Sequence, residues 1–318
     1  MPAPRAHSVL VAAARMHYLD GKSQSEIAKA LDLSRSSVSR ILAQARERGI
    51  VEIRIHPERD INRRPDLEQT LATLTGVEAL VAARPTGRTS IAVVAELAAR
   101  RVEDELPTLS SLGLSWGQTV AALVDEILLD SVFPHLHVHA LVGGMPTTGP
   151  AGNDAIELLA VKGGFHVHRF EAPAVVESKV TWQALMGESS IQRTIAEAGA
   201  VQAAVVGIGS TGVHASPRVV EAMRLNPAER AEFDAQEPVG DLAGRYYDLS
   251  GTAVGPPTSE RVVGISLAQL RSIPRVMGIA GGREKAPGVV GALRTQALGT
   301  VVLDEELAAD VVCLLRGE

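Results

Sequence analysis

A chain of 318 residues with a formal net charge of −6 has room for two domains, one small and one large. Its single cysteine, Cys313, excludes an intramolecular disulfide and any cysteine-cluster metal site. No apolar run approaches the roughly 18 residues of a membrane helix, and "MPAPRAHSVLVAAARMHYL" lacks the pattern of a signal peptide, so a cytoplasmic protein without a membrane partner is expected.

Hydrophobic residues make up 46% of the chain and aromatics only 3%, so the core must be mostly Val, Leu, Ile and Ala. That composition suits a parallel α/β sheet, whose strands are buried on both faces. The charge is uneven: through Arg64 the balance is +5, and the remainder carries −11. A basic head on an acidic body suits a DNA-binding module joined to something that does not bind DNA.

The first predicted helix covers about residues 8–20, with Gly21 suited to a left-handed cap. "SQSEIAKALDLSRSSVSRIL" follows. Ile27, Ala28 and Leu31 fit one face of a short helix; Val38, Ile41 and Leu42 fit one face of another, across the tight turn "LDLS". Ser23 with Glu26 makes a capping box, and Ser34 is a natural N-cap for the second helix. This spacing predicts a helix-turn-helix, whose second helix can enter a DNA major groove. The outward face of that helix offers Arg35, Ser36, Ser37, Ser39 and Arg40, with no acid among them. Hydroxyls and helix N-terminal N–H groups bind phosphate, and arginine pairs with guanine. Gln24 and Ser34 complete the expected DNA-facing set. A merely solvated helical hairpin is the alternative; spacing, caps and surface chemistry argue together against it.

The recognition helix is expected to end near "RERG", at Gly49. "IVEIRIHP" alternates Val51, Ile53 and Ile55 with Glu52, Arg54 and His56, the period of a half-buried strand in a small wing. "PERDINRRP" reads as a linker. The expected layout is therefore a winged helix-turn-helix domain at 1–56, a linker at 57–65 and a large α/β domain at 66–318.

In that large domain, "VEALVAA", "SSLGLSW", "LHVHALVGG", "AAVVGIGSTG", "RVMGIAGG" and "LGTVVLD" read as strands, most followed by a helical stretch. Such alternation implies right-handed βαβ units and a mainly parallel sheet, with ligands at the carboxyl ends of the strands. Glycine-rich turns stand at several of those ends, and they bring Ser115, Gly117, Gly143, Gly144, Gly209, Gly281 and Gly282 to the rim of a pocket for a polar ligand. Gln118 and Thr119 open the helix after Gly117, where N–H groups and the helix dipole favour an anion; a capped helix without a ligand is the alternative. Lys285, at a helix start, is poorly placed for a cation unless an anionic ligand is there; otherwise it is a surface lysine. Asp241 in "PVGDLAGRYYD" is read in a loop, either accepting two sugar hydroxyls or capping a turn.

"GIGSTG" matches a dinucleotide fingerprint in letters, but "VHASP" follows with a proline rather than a helix, and no acidic residue has the required spacing. A nucleotide-dependent oxidoreductase rests on that match and nothing else, and a sugar-contacting turn fits better. His135, His137 and His139 lie on one face of a strand, with His166 and His168 further on. No Glu or Cys partner is evident, so they are read as packed or partly exposed histidines, with no metal and no cofactor expected. No Ser/His/Asp triad or Walker motif occurs.

Taken together, "YLDGKSQSEIAKALDLSRSSVSRILAQARERGIVEI", "LSWGQTV", "LVGG", "VGIGS", "VGDL", "RVVGISLAQLRSIPRVMGIAGGREKA" and "VVLDEELA" resemble the SorC family of sugar-responsive bacterial transcriptional regulators, sometimes grouped with DeoR. The resemblance spans nearly the whole chain. It implies a sensing domain similar to sugar-phosphate isomerases and deaminases. It also implies operator DNA and a sugar, polyol or sugar-phosphate effector as partners, and a homo-oligomer built as a dimer of dimers. By the same resemblance Gly117, Gln118 and Thr119 hold an effector phosphate, Asp241 and Lys285 contact the effector, and Asp154 contributes a polar contact. An isomerase or deaminase carrying a DNA-binding domain is the other reading; fold does not imply activity, and no base, acid and electrophile can be assembled from these residues.

Overall fold

The computed structural model describes residues 7–51, 62–129, 131–145, 154–212 and 216–317. The chain divides into two compact units, residues 1–59 and 60–318.

In the first unit, α1 (His7–Tyr18), α2 (Gln24–Ala30) and α3 (Arg35–Glu47) meet around Leu10, Ala13, Ile27, Val38 and Ile41. The capping box forms: the Ser23 hydroxyl accepts the Glu26 N–H at 3.3 Å, and the Glu26 carboxylate accepts the Ser23 N–H at 2.8 Å. Asp32, at φ 51°, makes the tight turn between α2 and α3. Ser34 then caps α3, accepting the Ser37 N–H at 3.2 Å. Apart from Val51, the wing strand read at 51–56 lies outside the described residues, as do 57–61 of the linker.

The second unit runs through α4 (Pro65–Thr75), β1 (Glu78–Ala82), α5 (Ser90–Glu105), β2 (Ser111–Leu114), α6 (Gln118–Glu126), β3 (His137–Ala140), α7 (Asp154–Gly163), β4 (His166–His168), α8 (Lys179–Gly187), α9 (Ser189–Gly199) and β5 (Ala203–Ser210). It continues through α10 (Ser216–Ala222), α11 (Pro227–Asp234), β6 (Gly240–Leu242), β7 (Arg245–Tyr247), α12 (Leu267–Ser272), β8 (Arg275–Ala280), α13 (Ala286–Arg294), β9 (Thr300–Asp304) and α14 (Glu305–Arg316). The end of the segment read as linker already belongs to this unit. The Arg64 N–H donates to the Val81 carbonyl of β1 at 2.9 Å, and the Arg64 guanidinium pairs with Glu305 at 2.8 Å.

Seven strands form a parallel sheet in the order β1-β9-β8-β5-β2-β3-β4. Their apolar residues, including Val205, Val206, Ile279, Val301 and Val302, are buried, as continuous aliphatic strands covered on both faces should be. From β2 the chain steps outward to β3 and β4; from β5 it steps the other way, to β8 and β9. The order reverses between β2 and β5, the place where open α/β sheets hold their ligands. No described helix is long and apolar enough to cross a membrane.

Two expectations are corrected. Asp241 does not sit in a loop: β6 and β7 form an antiparallel hairpin, and β6 pairs with the end of β5. Its two-residue turn is Ala243–Gly244, both at positive φ (51° and 77°), and alanine in place of the usual Asn or Asp hides the hairpin signal. "GIGS" is likewise no turn but the last part of β5, paired with β8 through Gly207 and with β6 from Ile208 to Ser210.

Candidate functional site

The hairpin carries Asp241 onto the C-terminal end of β5, in register with Gly209. A Cβ at Gly209 would collide with the Asp241 carboxylate as it stands, so glycine leaves the room that this close approach uses. Asp241 is 7% exposed, and its Oδ2 accepts the Gly244 N–H at 3.0 Å. Burial pushes its pKa up to about 6, against the lowering influence of the Gly244 N–H and the Lys285 ammonium. Lys285 closes the short 3₁₀ turn Arg283–Lys285 after β8, and its ammonium donates to the Ile208 carbonyl of β5 at 3.3 Å. Burial lowers its pKa, and Asp241 leads the carboxylates that oppose this. Two segments remote in sequence thus bring opposite charges, both largely withdrawn from water, to one strand end.

Ser115 stands at the reversal point itself. Its hydroxyl accepts the Gly207 N–H of β5 at 3.0 Å and donates to the Trp116 carbonyl at 3.2 Å. Gly117 follows at φ 138°, a conformation an L side chain rarely adopts, and α6 starts there with no side-chain cap. Thr119 is buried and Gln118 exposed. The start of α6 can therefore receive an anion. Two polar groups here went unread in the sequence: the Trp116 indole Nε1 and the Thr211 hydroxyl are both shut off from solvent without a hydrogen-bond partner. Trp116 was visible inside "SWGQT"; nothing in the local pattern marks Thr211.

The glycines read at the pocket rim divide. Gly143 and Gly144 donate their N–H groups to the Val263 and Ala172 carbonyls, each at 2.9 Å, so neither N–H remains for a ligand. The Gly282 N–H donates to Asp304 Oδ2 at 2.8 Å, while the Asp304 Oδ1 caps α14 by accepting the Leu307 N–H at 3.3 Å. Gly281 packs on the backbone of Ser90 and Ile91. These residues set the course of the chain rather than offering donors. Asp154 begins α7, and its side chain lies outside the described residues.

On α3, Arg35, Ser36, Ser39 and Arg40 are exposed, opposite the buried Val38, Ile41 and Leu42; Ser37, and Gln24 at the start of α2, are half-buried. The Ser34 hydroxyl lies 3.1 Å from that of Ser36 and donates to that of Ser37 at 2.9 Å, which gathers three hydroxyls at the helix start. Arg40 Nε donates to the Ser36 carbonyl at 3.3 Å. The first turn holds no acid. This face presents what a duplex reads: hydroxyls and an N-terminal dipole for phosphates, and guanidinium forks for base edges.

A helical head with a cationic recognition face, joined in one chain to an α/β unit with a buried polar pocket at its strand ends, defines a ligand-sensing transcription regulator. Residues 59–313 match the family described as "Putative sugar-binding domain", and residues 2–60 match the MarR family. The chain belongs to that sugar-binding-domain family and is a transcriptional regulator of the SorC/DeoR type. It is 27% identical over 311 residues to the sorbitol operon regulator of Klebsiella pneumoniae, covering 94% of this chain and 96% of that protein. It is 26% identical over 303 residues to the transcriptional regulator LsrR of Enterobacter sp. (strain 638), covering 94% and 90%. The crystal structure of the full-length sorbitol operon regulator SorC from Klebsiella pneumoniae matches with a TM-score of 0.71 at 26% identity, over 96% of this chain and 100% of that one. Its fold agrees with the mixed α/β architecture expected from the sequence, and the relatives are named as regulators rather than as sugar-phosphate enzymes.

Proposed function

We propose that this chain grips operator DNA through α3 and senses a sugar, polyol or sugar phosphate at the carboxyl end of its sheet, the small molecule shifting it between binding and non-binding states to control carbohydrate catabolism. The observation that carries this reading is the meeting of Asp241 and Lys285 at the end of β5. A buried carboxylate accepts polyol hydroxyls, and Lys285 and the start of α6 at Gly117, Gln118 and Thr119 favour a phosphate. Ser115, Gly209 and Gly281 line this pocket, Gly143, Gly144 and Gly282 shape it, and Asp154 adds a polar contact from α7. Arg35 and Arg40 read base edges, while Gln24, Ser34, Ser36, Ser37 and Ser39 position the phosphates.

In this reading residues 1–56 bind DNA, the expected linker shortens to 57–61 because Asn62 to Pro65 already pack into the sheet unit, and 62–318 sense and assemble. The protein acts in the cytoplasm as a homo-oligomer, a dimer of dimers, and neither catalyses a reaction nor carries a cofactor. The dimer of dimers rests on the family resemblance; a two-fold pair of recognition helices would match paired half-sites on a duplex. The test is a thermal-shift screen of sugars, polyols and their phosphates on the wild-type chain, Lys285→Ala and Asp241→Ala, with gel shifts on operator fragments at low salt. A stabilising compound is expected for the wild type and for neither variant, while both variants still bind DNA. A wild-type shift in both variants overturns the site.

A further inference from the structure

Histidines that the effector pocket does not use gather at one edge of the sheet. β3 and β4 pair His137 with His166 and His139 with His168, and alternation along each strand puts all four on one face. The His139 and His168 rings stack with centroids 4.3 Å apart, and His137 Nδ1 lies 2.7 Å from His168 Nε2. Helix α9 brings Glu197 to the same place, so that one ligand atom from each of His139, His168 and Glu197 lies within 4.8 Å of the others. The sequence expectation that these histidines have no acidic partner is corrected by this tertiary contact. His139 is 8% exposed, and its Nδ1 is shut off from solvent with no hydrogen-bond partner. An edge strand guards itself with polar residues turned to water; a buried imidazole without a partner does not serve that end and costs free energy.

We propose that His139, His168 and Glu197 bind a divalent transition-metal ion of the zinc class. Two imidazoles and a carboxylate, with an open fourth position, form a zinc donor set. Bonds of about 2.0–2.2 Å require donors roughly 3.3 Å apart, so the cluster contracts on binding, and the exposed Glu197 side chain can supply most of that movement. His137 is the outer partner that orients the His168 ring. The ion would fasten the edge strand β4 and helix α9 to β3.

The test uses the full-length chain, stripped of metal and of any affinity tag, titrated with Zn²⁺ by calorimetry and with Co²⁺ by visible absorption. One saturable equivalent per chain is expected, with a raised melting temperature and cobalt bands of low coordination number. His168→Ala, at a half-buried position, and Glu197→Gln, at an exposed one, should weaken binding on the order of 10–100-fold, and His137→Ala by about 10-fold. Absence of a saturable equivalent in the wild type, or unchanged zinc affinity in His168→Ala or Glu197→Gln, overturns the proposal. No arm of the test involves DNA or sugar, so its outcome is separate from that of the regulatory reading.

Discussion

The helical unit carries its proposed DNA-facing residues outside, and the α/β unit keeps most of its proposed effector-facing ones inside. Around α3 a small core of Leu10, Ile27, Val38 and Ile41 does nothing but hold the helix, and Arg35, Ser36, Ser39 and Arg40 need only point away from it. In the sheet unit Asp241 and Ser115 are buried and Lys285 half-buried, and each is held by backbone: Asp241 by Gly244 in its own hairpin turn, Lys285 by Ile208 and Ser115 by Gly207 of a different strand. A recognition surface of the first kind is separable from its scaffold. A pocket of the second kind is part of the scaffold, and changing it changes stability.

The sharpest way to break this contrast is to empty the small core. Ile41→Ala should cost about 2–5 kcal/mol, enough to melt the helical unit and abolish operator binding while the sheet unit keeps its own calorimetric transition and its sugar response. A joint loss of both would show that the units do not fold separately. Next in size, Arg35→Ala and Arg40→Ala should each cost about 1–3 kcal/mol of operator affinity with no change in melting temperature; a salt titration of gel shifts then separates base reading from phosphate contact.

Asp241→Asn probes the inside half. The folded pKa of about 6 lies above the ordinary 3.8, so the folded chain holds this proton more tightly than the unfolded one. Stability contributed by the group is therefore complete below about pH 4 and is lost as pH rises towards 6. At pH 7 the variant should be more stable than the wild type, on the order of 1–3 kcal/mol, and should lack the effector response; below pH 4 the gain vanishes. A melting curve flat in pH for both proteins would contradict this. The smallest effect belongs to the cap of α3: Ser34→Ala should cost about 1 kcal/mol of helical-unit stability, read from its thermal transition.

The same contrast explains what the sequence discloses. Ser23, Glu26, Ser34 and the spacing of Ile27 to Leu42 act through neighbours within a turn or two, so the helices and their outward face could be read directly. Six of the seven parallel strands were legible as largely aliphatic runs; β4, only His166–His168 at the sheet edge, carries no such run and was not read as a strand. The β6–β7 hairpin was not legible either, since Ala243 occupies a left-handed position without the usual residue type. The pairing of Gly209 with Asp241, the loss of the Gly143 and Gly144 N–H groups to neighbouring carbonyls, and the arrival of Glu197 beside His139 all depend on segments that meet only after the sheet closes. Local periodicity holds no record of them.

Asp304 and Glu305, adjacent at the end of β9, hold segments on either side of that strand: Asp304 holds Gly282, three residues before Lys285, and Glu305 holds Arg64, where the chain enters from the amino-terminal side. A tug on the lysine turn is thus one peptide bond away from the doorway of the sensing unit. Neighbouring acids on one stretch of backbone therefore tie the turn that carries Lys285 to the segment by which the chain enters the sheet unit.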